Sequence, residues 1–173
     1  MEQVTIRIPQ SEYRPILAHL LQPDGCENAA FVFCNCEPHS NGVQFSYVDW
    51  LAVEPDDCVA RSAYYLQLAD ETRARVIKQA HDLQTSLVEF HSHRSAFPAA
   101  FSTSDFGGFD EFVPHVWWRL KGRPYAAVVV AESSFDGIAW IKDARSAQAM
   151  TAIDTHVELL RPTGLSLRYQ THE

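Results

Sequence analysis

Seven consecutive residues without a charge, Tyr125 to Ala131 (YAAVVVA), set the strictest limit on how this chain folds. Side chains of a strand alternate between two faces, so an uninterrupted apolar strand has to be covered on both. Such a strand belongs in the middle of a sheet with a layer on each side. The run is the longest apolar stretch in the sequence and falls far short of the ~20 residues that a membrane-spanning helix needs. Ser134-Phe135-Asp136-Gly137 reads as a hairpin turn after it, with Ile138 to Ile141 as the returning strand.

The rest of the chain alternates strand and helix signals around that strand. Val4 to Ile8 alternates as a short strand. Ser11 is placed to cap a helix whose face is Ile16, Leu17, Leu20 and Leu21, with Pro15 obscuring its start. Ala29 to Cys36 and Val43 to Val53 read as strands, and Glu54 to Ala63 as loop. Asp70 is placed to cap a helix over Glu71 to Gln84, with Val76, Ile77, Ala80 and Leu83 as its buried stripe. Ser86 to His93 reads as a strand. A helix begins at Asp105, runs through Phe109 and Phe112, and kinks or ends near Pro114. Val157 to Leu160 and Leu165 to Leu167 are candidates for a final strand or helix. The order βαββαβαββ predicts an α/β or α+β fold, a single domain over residues 1–173 with a mixed sheet between helices. A length of 173 residues with 46% hydrophobic and 21% charged is ordinary for one globular domain.

Charge narrows the partners. A net charge of −8 is unlike the basic footprint of a nucleic-acid binder. The opening MEQVTIRIPQ has an acid at position 2 and alternates, unlike a signal peptide. A cytoplasmic protein with reduced thiols is therefore expected. Cys26, Cys34, Cys36 and Cys58 include one C-x-C pair, but no second pair or nearby histidine completes a zinc spacing. Buried strand thiols are the expected reading.

The chemistry-bearing stretch is His91-Ser92-His93, then a loop, then Ser102-Thr103-Ser104-Asp105. Residues two apart on a strand share a face, so both imidazoles can converge on one ion. A helix start at Asp105 can return a carboxylate to the end of that strand. Two histidines and an aspartate make three ligands and leave a fourth position for water, the arrangement of a catalytic rather than a structural zinc. Of the eight histidines in the chain, His81, His115 and His156 have no partner at ligand spacing. Trp117-Trp118 is an aromatic pair on the same helical pattern, partly core by expectation.

These residues carry a family resemblance. An upstream glutamate, H-x-H and S-x-x-D make up the JAMM motif of the JAB/MPN metallopeptidases, and Glu27, His91, His93, Ser102 and Asp105 match it. PILAHLLQPDGCENAAFVF, SLVEFHSHRSAFPAAFSTSD and PYAAVVVAESSFDGIAW are similar to the helix–glutamate–strand, metal-loop and hairpin segments of prokaryotic members. The resemblance spans roughly residues 10–142 and leaves 143–173 as an extension. Two departures stand out. Arg94 replaces the proline that usually follows the second histidine, and the spacer to Ser102 is one residue longer than usual.

The resemblance implies one Zn²⁺ per chain on His91, His93 and Asp105, with Glu27 as general base and Ser102 as oxyanion donor. It further implies hydrolysis of an isopeptide or peptide bond after the C-terminus of a ubiquitin-like protein. Relatives of ubiquitin-activating and ubiquitin-conjugating enzymes would be partners, as in bacterial antiphage conjugation systems. Trimming a sulfur-carrier protein and a catalytically silent MPN scaffold are the alternatives. Strand periodicity by itself favours Glu89 as the base, since it shares a face with His91, or else as a hydrogen-bond partner of that imidazole. Glu37 falls at the far end of the strand that follows Glu27. The turn-to-strand context of DGCENAAF favours Glu27. Ser104 competes with Ser102 as the helix cap.

Overall fold

The computed structural model describes residues 2–171. In chain order the elements are β1 (Gln3–Arg7), α1 (Gln10–Leu20), β2 (Ala29–His39), β3 (Gly42–Ala52), β4 (Cys58–Arg61), β5 (Leu66–Leu68) and α2 (Asp70–Leu83). They continue as β6 (Ser86–Ser92), α3 (Thr103–Arg119), β7 (Tyr125–Val130), β8 (Phe135–Trp140), β9 (Ala147–Ala149), β10 (Ala152–Asp154), β11 (Leu159–Leu160) and α4 (Ser166–Gln170). Nine strands form one mixed sheet in the order β11-β10-β1-β3-β2-β6-β7-β8-β9, and β4 and β5 make a separate hairpin. No helix among the described residues is long and apolar enough to cross a membrane.

The apolar run sits where its composition demands. All six residues of β7 are buried, between β6, to which it runs parallel, and β8, to which it runs antiparallel. Alternate side chains feed two core layers. Phe31, Phe33, Leu87, Tyr125, Ala127 and Val129 point toward α2 and α3. Ala30, Val32, Val88, Phe90, Ala126 and Val128 point toward α1 and β1. The mixed α/β architecture expected from the sequence is what the chain adopts.

Several local expectations are corrected. The β7–β8 turn is centred on Glu132 and Ser133, closed by Ala131 N–H donating to Ser134 O at 2.9 Å. Asp136 and Gly137 lie inside β8 instead. Asp136 is drawn into the core by the donors it accepts from residues 164 and 166. Gly137 is needed where it stands, because a Cβ there would lie 2.8 Å from Met150 Sδ. Neither Ser11 nor Asp70 caps a helix; the N-cap positions are Pro9 and Ala69, without side-chain bonds. Pro114 does not end α3, which continues to Arg119 because Val113 and Val116 stay packed on the sheet. The supposed loop over 54–63 contains a 3₁₀ turn and β4.

The C-terminal extension is not an appendage. β10 runs parallel to β1, pairing Ile6 with Ile153, and β9 closes the other sheet edge against β8. At the start of β3, Gly42 is pressed against β1: a Cβ there would fall 1.8 Å from Gln3 O, a backbone atom with little freedom to retreat. Gly42→Ala should therefore force β1 and β3 apart at a cost of about 1–3 kcal/mol. Thermal melts should show a drop of roughly 2–12 °C; an unchanged melting temperature would mean that the two strands are not so closely apposed.

Candidate metal centre

The antiparallel pairing of β2 with β6 builds the site. Ala29 is paired with His91. Beyond that pair the ladder continues, with Ser92 N–H donating to Asn28 O at 2.9 Å and Asn28 N–H donating to Ser92 Oγ at 2.9 Å. Continuing this register sets Glu27 across from His93. His91, His93 and Glu89 share the sheet face that looks toward α2 and α3. Only His91 among them is fully enclosed, against the Phe101 ring at 5.5 Å.

The third ligand arrives on α3. Ser102 is the N-cap: its Oγ accepts from Asp105 N–H at 3.2 Å, and its own N–H donates back to Asp105 Oδ2 at 2.7 Å. This reciprocal box is the local sequence signal S-x-x-D put to use. Ser102, not Ser104, is the cap, and its hydroxyl also donates to Asp105 Oδ2 at 2.8 Å. The carboxylate is thereby held facing the strand end. His91 Nε2 lies 3.4 Å from Asp105 Oδ1, His93 Nε2 lies 3.2 Å from Asp105 Oδ2, and the two Nε2 atoms are 3.3 Å apart. Among the described residues these three form the one His/Cys/Asp/Glu group spaced to hold a metal ion.

Glu27 joins the group from the opposite strand. It is 8% exposed, and its Oε1 stands 4.0 Å from His93 Nε2. Its backbone is held on both sides: Glu27 N–H donates to Ser62 O at 2.7 Å, and Arg61 Nε donates to Glu27 O at 3.1 Å. Arg61 also reaches Asn28 Oδ1 at 2.8 Å and pairs with Asp24. Behind His91, Glu89 Oε1 faces Nδ1 at 3.6 Å while Glu89 Oε2 accepts from the Tyr125 hydroxyl at 2.7 Å. Glu89 thus stands behind an imidazole of the candidate metal group, with its other oxygen engaged by Tyr125. Glu37 is exposed, eight residues along β2 from Ala29.

The charges are strongly coupled. Burial opposes a proton on His91, yet Asp105 and Glu89 outweigh it and lift the imidazole to about 10. Burial likewise opposes the Asp105 charge, but the two imidazoles and the Ser102 amide hold its carboxyl far below the usual range. Burial raises the Glu27 carboxyl above its usual value, against the pull of the two imidazoles. The carboxylates around His91 therefore favour positive charge at the triad, and burial makes the Glu27 carboxylate a readier proton acceptor than an exposed one.

A cleft of about 440 Å³ opens onto the triad. Tyr65 and Leu66 line one side and Gly107 and Gly108 of α3 another, with Arg73 also on its wall. Apart from the adjoining residues and backbone of α3 itself, no atom stands within 4 Å of where a Cβ on either glycine would lie. No protein-family model matches the chain, and no curated protein matches it.

Other sequence candidates fall outside the site. His81, His115 and His156 are exposed. Trp118 is 74% exposed and Trp117 half-buried. All four cysteines are free; burial pushes the Cys34 thiol far up and that of Cys36 to about 12, so neither is a ready thiolate ligand. Arg94 is half-buried and forms no ion pair among the described residues. Sequence reasoning missed Arg61, Asn28, Ser92 and Tyr125. Glu89 was the available signal for Tyr125, since a carboxylate in an otherwise apolar strand requires a donor.

Ser102→Ala removes both the cap and the donor to the ligand carboxylate. It should lower stability by about 1 kcal/mol. It should also weaken metal binding by about tenfold or more. Thermal melts and metal titrations read the two effects separately, and Ser102→Thr should keep both. An alanine variant that binds metal as the parent does would show that the box caps the helix without holding the ligand.

Proposed function

We propose that this chain is a zinc-dependent metallopeptidase of the JAB/MPN type, acting on a peptide or isopeptide bond that follows the C-terminus of a ubiquitin-like protein. One observation carries the reading: a buried glutamate, delivered by a different strand, faces a His-His-Asp group across 4.0 Å. A closed structural site has no use for such a carboxylate. The donor set also fits the ion. Four ligands at about 2.0–2.1 Å around a tetrahedral zinc lie roughly 3.3–3.4 Å from one another. Here the two Nε2 atoms stand 3.3 Å apart, and Asp105 meets them with different oxygens, Oδ1 3.4 Å from His91 and Oδ2 3.2 Å from His93, with one ligand atom from each residue within 4.8 Å of the others.

When bound, zinc supplies a Lewis acid for the scissile carbonyl and lowers the pKa of a water toward neutrality. The chain's own residues do the rest. Glu27 takes a proton at its carboxylate and returns it to the leaving amine, a role suited to a carboxyl raised by burial. Arg61, Asn28 and Ser92 fix the backbone that presents it. Glu89 orients His91, so that a proton on Nδ1 leaves the Nε2 lone pair facing the triad. The Ser102 hydroxyl is engaged with Asp105, and its donation to a developing oxyanion requires that single proton to swing toward the cleft.

The cleft suits an extended chain. β5 lines it and is paired on one side only, by β4, so a tail can add to its edge through main-chain hydrogen bonds. A silent scaffold would not need the ligand group and the carboxylate together. Deconjugation, in concert with relatives of ubiquitin-activating and ubiquitin-conjugating enzymes, is the activity we favour over sulfur-carrier trimming.

Purified protein should contain one zinc per chain, lost in His91→Ala and His93→Ala. It should cleave a ubiquitin-like domain fused to extra residues or joined to a lysine. Chelation should stop the reaction and thiol alkylation should not. Glu27→Gln should keep its zinc and its fold while turnover falls about 10²–10⁴-fold. Glu37→Gln should be silent and Glu89→Gln should lose metal affinity first. Inhibition by alkylation but not by chelation, or an active Glu27→Gln enzyme, would overturn this assignment.

A further inference from the structure

The ligand Asp105 is separated from His91 and His93 by residues 94–102, a stretch without helix or strand. A loop of that kind is mobile unless its backbone is tied down. Besides the bonds that Ser102 makes with the first turn of α3, three hydrogen bonds tie this one, and each comes from outside the JAMM motif. Ala99 N–H donates to Ser134 Oγ at 2.9 Å. The Thr163 hydroxyl donates to Ala99 O at 2.7 Å. Phe101 N–H donates to Ser166 Oγ at 2.9 Å.

The Ser166 bond has a fixed direction. Asp136 Oδ2 accepts from both the Ser166 hydroxyl at 2.5 Å and the Ser166 N–H at 2.8 Å. Asp136 Oδ1 accepts from Gly164 N–H at 3.0 Å. The hydroxyl proton is thus committed to Asp136, which leaves a lone pair of Ser166 Oγ for Phe101 N–H. Ser166 is 0% and Asp136 2% exposed, so water does not compete. Thr163 N–H adds a bond to Phe135 O at 2.9 Å, which fastens the segment to β8.

We propose that residues 163–166 form a clasp, built on Asp136, that positions the metal loop. Thr163, Ser166 and Asp136 are positioning residues: they touch neither the triad nor the cleft, and act through Ala99 and Phe101. Phe101 is the point of transmission. Its ring packs on His91 at 5.5 Å, and the next residue is Ser102, which holds Asp105. The C-terminal extension thereby supplies a rigidity that the lengthened loop does not have of its own. This inference rests on the metal-centre reading proposed above.

Two measurements test it: zinc affinity, by competition with a chromophoric chelator, and hydrogen exchange at the Ala99 and Phe101 amides of the metal-free protein. Ser166→Ala should speed exchange at Phe101 and weaken zinc binding by about 10–100-fold. Val4→Ala, in the opposite core layer, is the control for general destabilisation and should leave zinc affinity near that of the parent. Thr163→Val removes the bond to Ala99, together with the long 3.4 Å bond that Thr163 Oγ1 accepts from Leu165 N–H, and keeps the branched shape. It should cost about fivefold in zinc affinity. Thr163→Ser, which keeps the hydroxyl, should restore it. If Ser166→Ala does not fold, the Thr163 pair decides alone. Zinc affinities equal to the parent in both Ser166→Ala and Thr163→Val would overturn the clasp while leaving the metal centre intact. A parent protein that binds no zinc would overturn the metallopeptidase reading, and the clasp's role with it.

Discussion

The register between β2 and β6 is the constraint on which the site depends. Ala29 stands opposite His91, and the ladder runs one bond further through Asn28 and Ser92. A slip of one residue would send His91 and His93 to the α1 face and leave Glu27 pointing away. The register is fixed by burial on both sides. Phe31 and Phe33 fill one layer while Ala30 and Val32 fill the other, and no shifted pairing satisfies both. The Ser92 side chain adds a second lock, because its Oγ accepts the Asn28 amide at the point where the strands separate. The serine between the two histidines is therefore a structural pin, facing away from the ligands it separates.

That rigid frame accommodates a group of charges that the fold by itself would not choose. Glu27, Glu89, Asp105 and two imidazoles converge at the edge of an apolar layer lined by Phe31, Phe101 and Phe109. Paired buried charges rarely exceed well-packed apolar residues in stability, since desolvation offsets most of their attraction. Asp105 and Glu89 draw a proton onto His91 against the effect of its burial, so this cluster favours positive charge. A divalent ion answers the same demand with more charge and with the directional bonds that the three ligand atoms are already spaced to make. Local cost at one end of an otherwise consistent fold is the pattern that functional sites leave.

Much of this was legible in the sequence. The continuous run in β7, the H-x-H at a strand end and the S-x-x-D box each have a local physical signature; the run and the box fall where that signature put them, while β6 ends at Ser92, so that His91 is on the strand and His93 one residue past it. What was not legible depended on contacts distant in sequence. Asp136-Gly137 has turn chemistry, yet it became strand because Ser166 and Met150 claimed the two residues. The β4–β5 hairpin escaped notice because its strands span only Cys58–Arg61 and Leu66–Leu68 and lie outside the main sheet, with β5 on the cleft. Arg61 gives no local sign that it will hold the Glu27 carbonyl. Periodicity along one strand pointed to Glu89, and only the turn-to-strand context of DGCENAAF favoured Glu27; that Glu27 stands across from His93 follows from the cross-strand register, which that periodicity does not contain.

Gly107 and Gly108 shape the cleft beside that site. They fall two and three residues after Asp105, inside α3, where each glycine costs about 1 kcal/mol relative to alanine. Neither has a positive φ, and neither is pressed by a neighbour, so backbone geometry and packing do not require them. Both line the cleft, on the helix that presents the Asp105 ligand. Side chains there would fill the space beside the triad. Their absence keeps the cleft open between α3 and β5, the clearance that the proposed extended substrate would need. The helix gives up stability of its own for that clearance, and the capping box at Ser102 and the aromatic contacts of Phe106 and Phe109 with Phe101 hold its first turns in place despite the loss.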